Sequence, residues 1–182
     1  MKSRCLSITL ALLILVLSLT ACSSTTSKDA GQTPASKSES KAGLIDPTKL
    51  ITQEEATQAL GEASKAAELK DTKNPLGQKL VLFNAASEKS FKLLQLSFIQ
   101  NEGLATEKLA SGYTVKQLYT DTRKNLQDAT DLPGLGDQAF WVPSGLHVLK
   151  GNVYFSITLT NLSKPDNLEK AKIVAQKVLS RL

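Results

Sequence analysis

The side chains whose chemistry stands out are Cys22, Asp137, Trp141 and His147. Cys22 closes the tetrad Leu19-Thr20-Ala21-Cys22 behind an apolar run that begins at Leu6. His147 is the sole histidine. A Ser–His–Asp relay would need it beside a hydroxyl and a carboxylate, and Ser144 and Asp137 are near it in sequence. Against that, His147 sits in an apolar strand-like segment, and no serine stands in a nucleophile elbow. It reads as a structural or strand-exposed histidine. Asp137 follows Gly134-Leu135-Gly136, a turn able to present backbone N–H groups to an anion. A dinucleotide fingerprint also needs a preceding strand, a third glycine and a following helix, and here a strand follows. The glycines therefore serve positive φ, and Asp137 caps the turn. Trp141 is the lone tryptophan. If Phe140 and Val142 face the core, Trp141 faces the other way, either lining a ligand groove with its apolar face and polar N–H or packing beneath a helix. One histidine without a second soft ligand makes no typical zinc site. No cofactor, metal or catalytic set is implied; the ligand-binding candidates are Trp141, Asp137 and His147.

The setting of Cys22 is more specific. Lys2 and Arg4 precede an apolar stretch over residues 6–19 that is interrupted only by Ser7, Thr9 and Ser18. A bilayer span takes about 20 apolar residues, so the stretch fits a cleaved secretory signal better than a membrane helix. Thr20 and Ala21 are small, as a signal peptidase requires. Leu19-Thr20-Ala21-Cys22 resembles the lipobox of bacterial lipoproteins. That resemblance implies a lipidated Cys22 as the mature N-terminus, with a diacylglycerol and often a third acyl chain. Each buried methylene contributes roughly 0.8 kcal/mol, and one chain alone binds only marginally, so several chains give a stable anchor. The expected location is the extracytoplasmic face of a membrane. Ser23 in place of aspartate permits outer-membrane sorting where the host has an outer membrane.

Loss of residues 1–21, which carry Lys2 and Arg4 and no acid, lowers the formal charge from +5 to +3. There is no dense basic run interleaved with aromatics, so nucleic acid is not an expected partner. Cys5 leaves with the signal and Cys22 is committed to lipid, which leaves the domain without thiol chemistry. Residues 23–43 are rich in Ser, Thr, Lys, Ala and Gly and lack apolar periodicity. Such a segment cannot bury enough surface to offset its ordering entropy, and its end-to-end distance as a flexible tether is roughly 25 Å. The domain organisation is thus signal 1–21, lipidated Cys22 and linker 22–43, and one domain over 44–182, long enough for a single core.

Within that domain, Thr52 with Glu55 is a capping-box pattern that opens a helix, Ile51 and Ala56 occupy staple positions, and Gly61 ends it. The stretch 62–71 fits either a helix extension or an edge strand, with the strand favoured. Asn74-Pro75-Leu76-Gly77 marks a turn. Strands are expected over 79–84 and 91–100, the second with Leu94, Leu96 and Phe98 on one face and Leu93, Gln95, Ser97 and Ile99 on the other. Residues 102–112 read as a loop with a helical start. A helix over 113–127 follows from Val115, Leu118, Tyr119, Thr122 and Leu126 on one face. A Pro/Gly-rich turn over 131–137 leads to strands over 138–142, 146–150 and 152–160, the last alternating with period two. Pro165 and Asp166 open a terminal helix. The expected fold is α+β: an antiparallel sheet of five or six strands with three helices packed on it.

The segment from Leu132 to Trp141, followed by Leu146-His147-Val148-Leu149-Lys150-Gly151-Asn152, an alternating strand and a closing helix, resembles small cell-envelope lipoproteins of the DUF3558-like families of Gram-positive bacteria. The early helix from Ile51 through Ala56 to Gly61 resembles theirs as well. The resemblance implies an envelope location and transfers no catalytic residues. The sequence therefore points to a membrane-anchored, non-enzymatic module that binds a small ligand or an envelope protein. Two alternatives stand beside it: an envelope hydrolase using His147 with Asp137 and a serine, and a structural subunit of an envelope assembly with an apolar patch on the sheet face of Trp141.

Overall fold

Local signals set the first helix. In the computed structural model, which describes residues 43–160 and 164–182, Thr52 Oγ1 accepts the Glu55 N–H at 3.2 Å. The Glu55 carboxylate accepts the Thr52 N–H at 2.9 Å. This reciprocal box starts α1, Gln53–Leu60, and Gly61 ends it in a left-handed conformation at φ 70°. Cys22, the signal segment 1–21 and the tether up to residue 42 lie outside the described residues. The described residues fall in one compact unit, Glu39–Leu182.

Strands β1 (Glu68–Asp71), β2 (Lys79–Asn84) and β3 (Leu93–Gln100) form a meander. Two helices follow, α2 (Thr106–Ala110) and α3 (Val115–Asn125). A second meander comprises β4 (Thr130–Asp131), β5 (Gln138–Val142), β6 (Gly145–Lys150) and β7 (Val153–Thr160). Helix α4, Lys164–Leu179, closes the fold. The two meanders join where β3 pairs with β7, giving one antiparallel sheet in the order β1-β2-β3-β7-β6-β5-β4.

The sheet has seven strands and the described chain four helices, which corrects the expected five or six strands and three helices. Strand β1 falls within 62–71, where the sequence favours an edge strand, and α2 within 102–112, where it reads as a helical start, whereas β4 is new; these three elements bury nothing. All of β1 and β4 is exposed, and no residue of α2 is buried. Without a buried face, neither alternation nor a 3.6-residue stripe marks them in sequence. Thr130 and Asp131 pair with Trp141 and Phe140, so a short strand ends on the first residue of what reads as a Pro/Gly-rich turn. The last helix starts at Lys164, with Asp166 inside its first turn rather than at its opening.

Period-two alternation divides the sheet into two covered faces. Val81, Phe83, Leu94, Leu96, Phe155 and Ile157 join the larger core with Leu60 of α1 and Val174 and Val178 of α4. Phe140, Leu149, Tyr154 and Ile99 lie on the opposite face with Val115 and Tyr119 of α3. Two caps hold α3 there: Thr114 Oγ1 accepts the Gln117 N–H, and Asn101 Oδ1, just beyond β3, accepts the Val115 N–H at 2.8 Å.

Candidate functional site

Strand register brings together residues that are far apart in sequence. Leu80 pairs with Ser97, Ser97 with Ser156, Ser156 with His147, and His147 with Phe140. Directly paired residues in an antiparallel sheet point to the same face, so these five form one row across β2, β3, β7, β6 and β5 on the α3 face. At the middle of the row is a cavity of about 230 Å³. Its polar lining is Gln78, Ser97, Thr122, His147, Tyr154 and Ser156. Its apolar lining comes from Ile99 in the sheet, Leu118 in α3 and Leu76 in the β1–β2 loop.

That loop is pinned. Asn74 Oδ1 accepts the N–H groups of Leu76 and Gln78, and Asn74 Nδ2 donates to Gln78 Oε1 at 3.0 Å. Gly77 has φ 60°, and a Cβ there would lie 2.0 Å from the Gly103 carbonyl oxygen, so only glycine lets the loop close onto the turn after β3. So held, Gln78 Nε2 donates to Ser97 Oγ at 2.8 Å. The Ser97 hydroxyl proton is left to be donated elsewhere.

His147 is oriented from two sides. Its ring stacks on Phe140 with centroids 4.6 Å apart and planes at 8°, and Nδ1 lies 2.7 Å from Tyr154 Oη. Tyr119 meets Tyr154 edge-on at 5.6 Å and Phe140 at 5.2 Å. Burial pushes the His147 imidazole down to about 4, so it is neutral at pH 7. Burial likewise pushes the Tyr154 phenol up to about 12, and it pushes Tyr119 there together with the nearby Asp131 charge. If Tyr154 donates to Nδ1, Nε2–H is a free donor. If Nδ1–H donates to Tyr154, Nε2 is an acceptor. Neither Nε2 nor the Ser156 hydroxyl has a hydrogen-bond partner among the described residues.

Of the three residues singled out from sequence, only His147 lines this cavity. Asp137 serves the β6–β7 turn: its carboxylate accepts the Gly151 N–H at 2.7 Å and Lys150 Nζ at 3.0 Å. Those contacts, the Gly151 N–H foremost, hold its carboxyl below the usual range. Trp141 is half-buried and packs against the larger core on the opposite sheet face. The relay considered for hydrolysis is not assembled, because Nδ1 of His147 meets Tyr154 and both Asp137 oxygens are engaged elsewhere. Ser144 offers its carbonyl to Thr158 Oγ1. Sequence reading missed Gln78, Thr122, Tyr154 and Ser156 as site residues and saw Ser97 only as a polar position on the second face of β3.

A larger groove of about 500 Å³ runs beside residues 131–139 and includes Arg123, Asp131 and Asp137. Its charges are matched internally. Arg123 donates to Asp131 Oδ1 and to the Ala129 carbonyl, both at 2.9 Å, and Asp137 is tied to the turn. The smaller cavity retains unused donors and acceptors, and on that ground it is the stronger candidate. Among the described residues no cluster of three or more His, Cys, Asp or Glu is placed to hold a metal ion, and no helix is long and apolar enough to cross a membrane. Compared with protein-family models, curated proteins and solved structures, the chain finds no match.

Proposed function

We propose that this chain is a lipoprotein anchored through Cys22 to the extracytoplasmic face of a membrane, and that its folded module is a non-enzymatic binder of a small ligand. The anchor reading is supported by the basic N-terminus, the apolar run over residues 6–19 and the Leu19-Thr20-Ala21-Cys22 ending. The observation that carries the binding reading is the cavity itself. Ser156 and His147 line a preformed space, and the hydrogen-bonding capacity of the Ser156 hydroxyl and of His147 Nε2 is not used by the described protein groups. Concave sites with a few convergent polar groups on rigid elements are where small ligands bind, and here three neighbouring strands supply the floor.

Two measurements test the two parts. Cells fed a clickable palmitate analogue should label the wild type and not Cys22→Ser, and the variant should leave the membrane fraction. An unlabelled, still lipid-free wild type overturns the anchor. For the cavity, full-length protein extracted gently from membranes should carry a discrete extra mass by native mass spectrometry. Ser156→Leu, which fills the space, should lose that mass while its circular dichroism stays unchanged. Retention of the same mass by the folded variant removes the cavity as the binding site.

A further inference from the structure

We propose that the cavity beneath α3 takes an uncharged, multiply hydroxylated ligand of single-ring size, a monosaccharide or a cyclic polyol, held by Ser97, Ser156 and His147. This rests on the reading of the cavity as a ligand site and adds the class of ligand.

Charge is the first discriminator. None of the nine lining residues is Asp, Glu, Lys or Arg. His147, the one group there that titrates near neutrality, is kept neutral by burial. An ionised ligand would give up its hydration without meeting an opposite charge, which is strongly unfavourable. A purely apolar ligand fails for the converse reason. It would strip water from the Ser97 and Ser156 hydroxyls and from Nε2 of His147 and return no partner. A hydroxylated ring satisfies both constraints, because each hydroxyl can donate or accept and so matches either imidazole tautomer. Its C–H surface would lie against Leu76, Ile99 and Leu118.

Size and spacing agree. A volume of 230 Å³ corresponds to roughly eight water molecules at about 30 Å³ each and falls below the roughly 300–1,000 Å³ of drug-sized sites. Ser97, Ser156 and His147 occupy neighbouring strands, about 4.8 Å apart per step. The row therefore spans about 10 Å, the width of one six-membered ring with a hydrogen bond at each end.

The chain provides one reporter inside the cavity and one outside it, because His147 is the only histidine and Trp141 the only tryptophan. Full-length protein in detergent micelles, labelled at His and Trp, would be titrated by NMR with four probes: glucose, myo-inositol, glucose 6-phosphate and cyclohexanol. The expected result is a saturable shift of the His147 signal with glucose or myo-inositol and a stationary Trp141 indole. Binding of the phosphate ester and of the mono-alcohol should be at least about tenfold weaker. Ser156→Ala should weaken binding of the hydroxylated ring by roughly three- to tenfold, the loss of one hydrogen bond, and leave the Trp141 signal in place. A preferred response to glucose 6-phosphate or to cyclohexanol overturns the ligand class and leaves the cavity as a binding site. Silence of His147 toward all four probes overturns the ligand class, and the mass lost or kept by Ser156→Leu then decides whether the cavity reading falls with it.

Discussion

At the scale of single residues, His147 shows how far chemistry can be read before geometry. Its type and its place in an apolar strand were legible, and they left a structural and a strand-exposed histidine both open; the fold makes it a buried, neutral imidazole. Its partners were not legible, because Tyr154 and Ser156 become neighbours only through the β6–β7 register. The polar alternation of β3 and β7 is a usable signal in retrospect: Ser97 and Ser156 lie opposite faces carrying Leu94, Leu96 and Phe98 in β3 and Val153, Phe155, Ile157 and Leu159 in β7. The lowered His147 value has a consequence for stability with a definite sign. In the unfolded chain the imidazole takes its proton near pH 6.5, whereas in the folded protein it does so only near 4. Between those values the unfolded state binds the extra proton, so stability is full above about pH 6.5 and falls as the pH drops toward 4. The loss attributable to this residue is on the order of 2–3 kcal/mol, reduced by its residual solvent contact. Urea unfolding of wild type and His147→Gln from pH 7 to 4.5 should show a steeper decline for the wild type. Parallel curves would mean that the histidine titrates normally in the fold.

At the scale of elements, legibility follows burial and local hydrogen bonding. Helix α1 announced itself because its cap is written within four residues, Thr52 to Glu55, and the structure forms that cap as both hydrogen bonds. Strand β4 did not, and β1 and α2 showed only as an edge strand favoured within 62–71 and a helical start within 102–112, because tertiary contact rather than any periodic pattern defines them. A contact beyond the reach of sequence reading ties the two ends of the domain. Arg181 donates to both Glu55 oxygens at 2.7 and 2.8 Å and to the Leu50 carbonyl at 2.8 Å. Arg181 holds the Glu55 carboxyl down to about 2, so this contribution is present above about pH 4.5 and is lost as the pH falls toward 2. Arg181→Ala should lower unfolding stability by about 1–2 kcal/mol at pH 7, as expected for a forked, charge-assisted pair. The deficit relative to wild type should shrink steadily below pH 4.5. A deficit independent of pH would assign the effect to packing of the arginine stem.

At the scale of the whole molecule, the β3–β7 seam governs both stability and the cavity. Gln78 and Ser97 come from the first meander, whereas His147, Tyr154 and Ser156 come from the second. The cavity therefore exists only after strands separated by more than fifty residues have paired. Such non-local pairing carries no local sequence signature, which is why composition and patterning outlined the strands and picked out His147 without the residues that surround it. It also makes the two meanders interdependent, since each alone leaves β3 or β7 as an open edge with an apolar face. Leu96 and Ile157 face each other across the seam and are both fully buried. Ile157→Ala should therefore cost about 2–5 kcal/mol, and the cost should appear equally in both halves. Native-state hydrogen exchange would read it as an equal drop in the opening free energy of the slowest amides of β2 and of β6. The control is Leu69→Ala on the exposed edge strand β1, expected to change stability by no more than about 0.5 kcal/mol. If the β6 amides lose protection while those of β2 keep theirs, the halves open independently. The cavity would then be assembled by docking of two stable parts rather than by folding of one sheet.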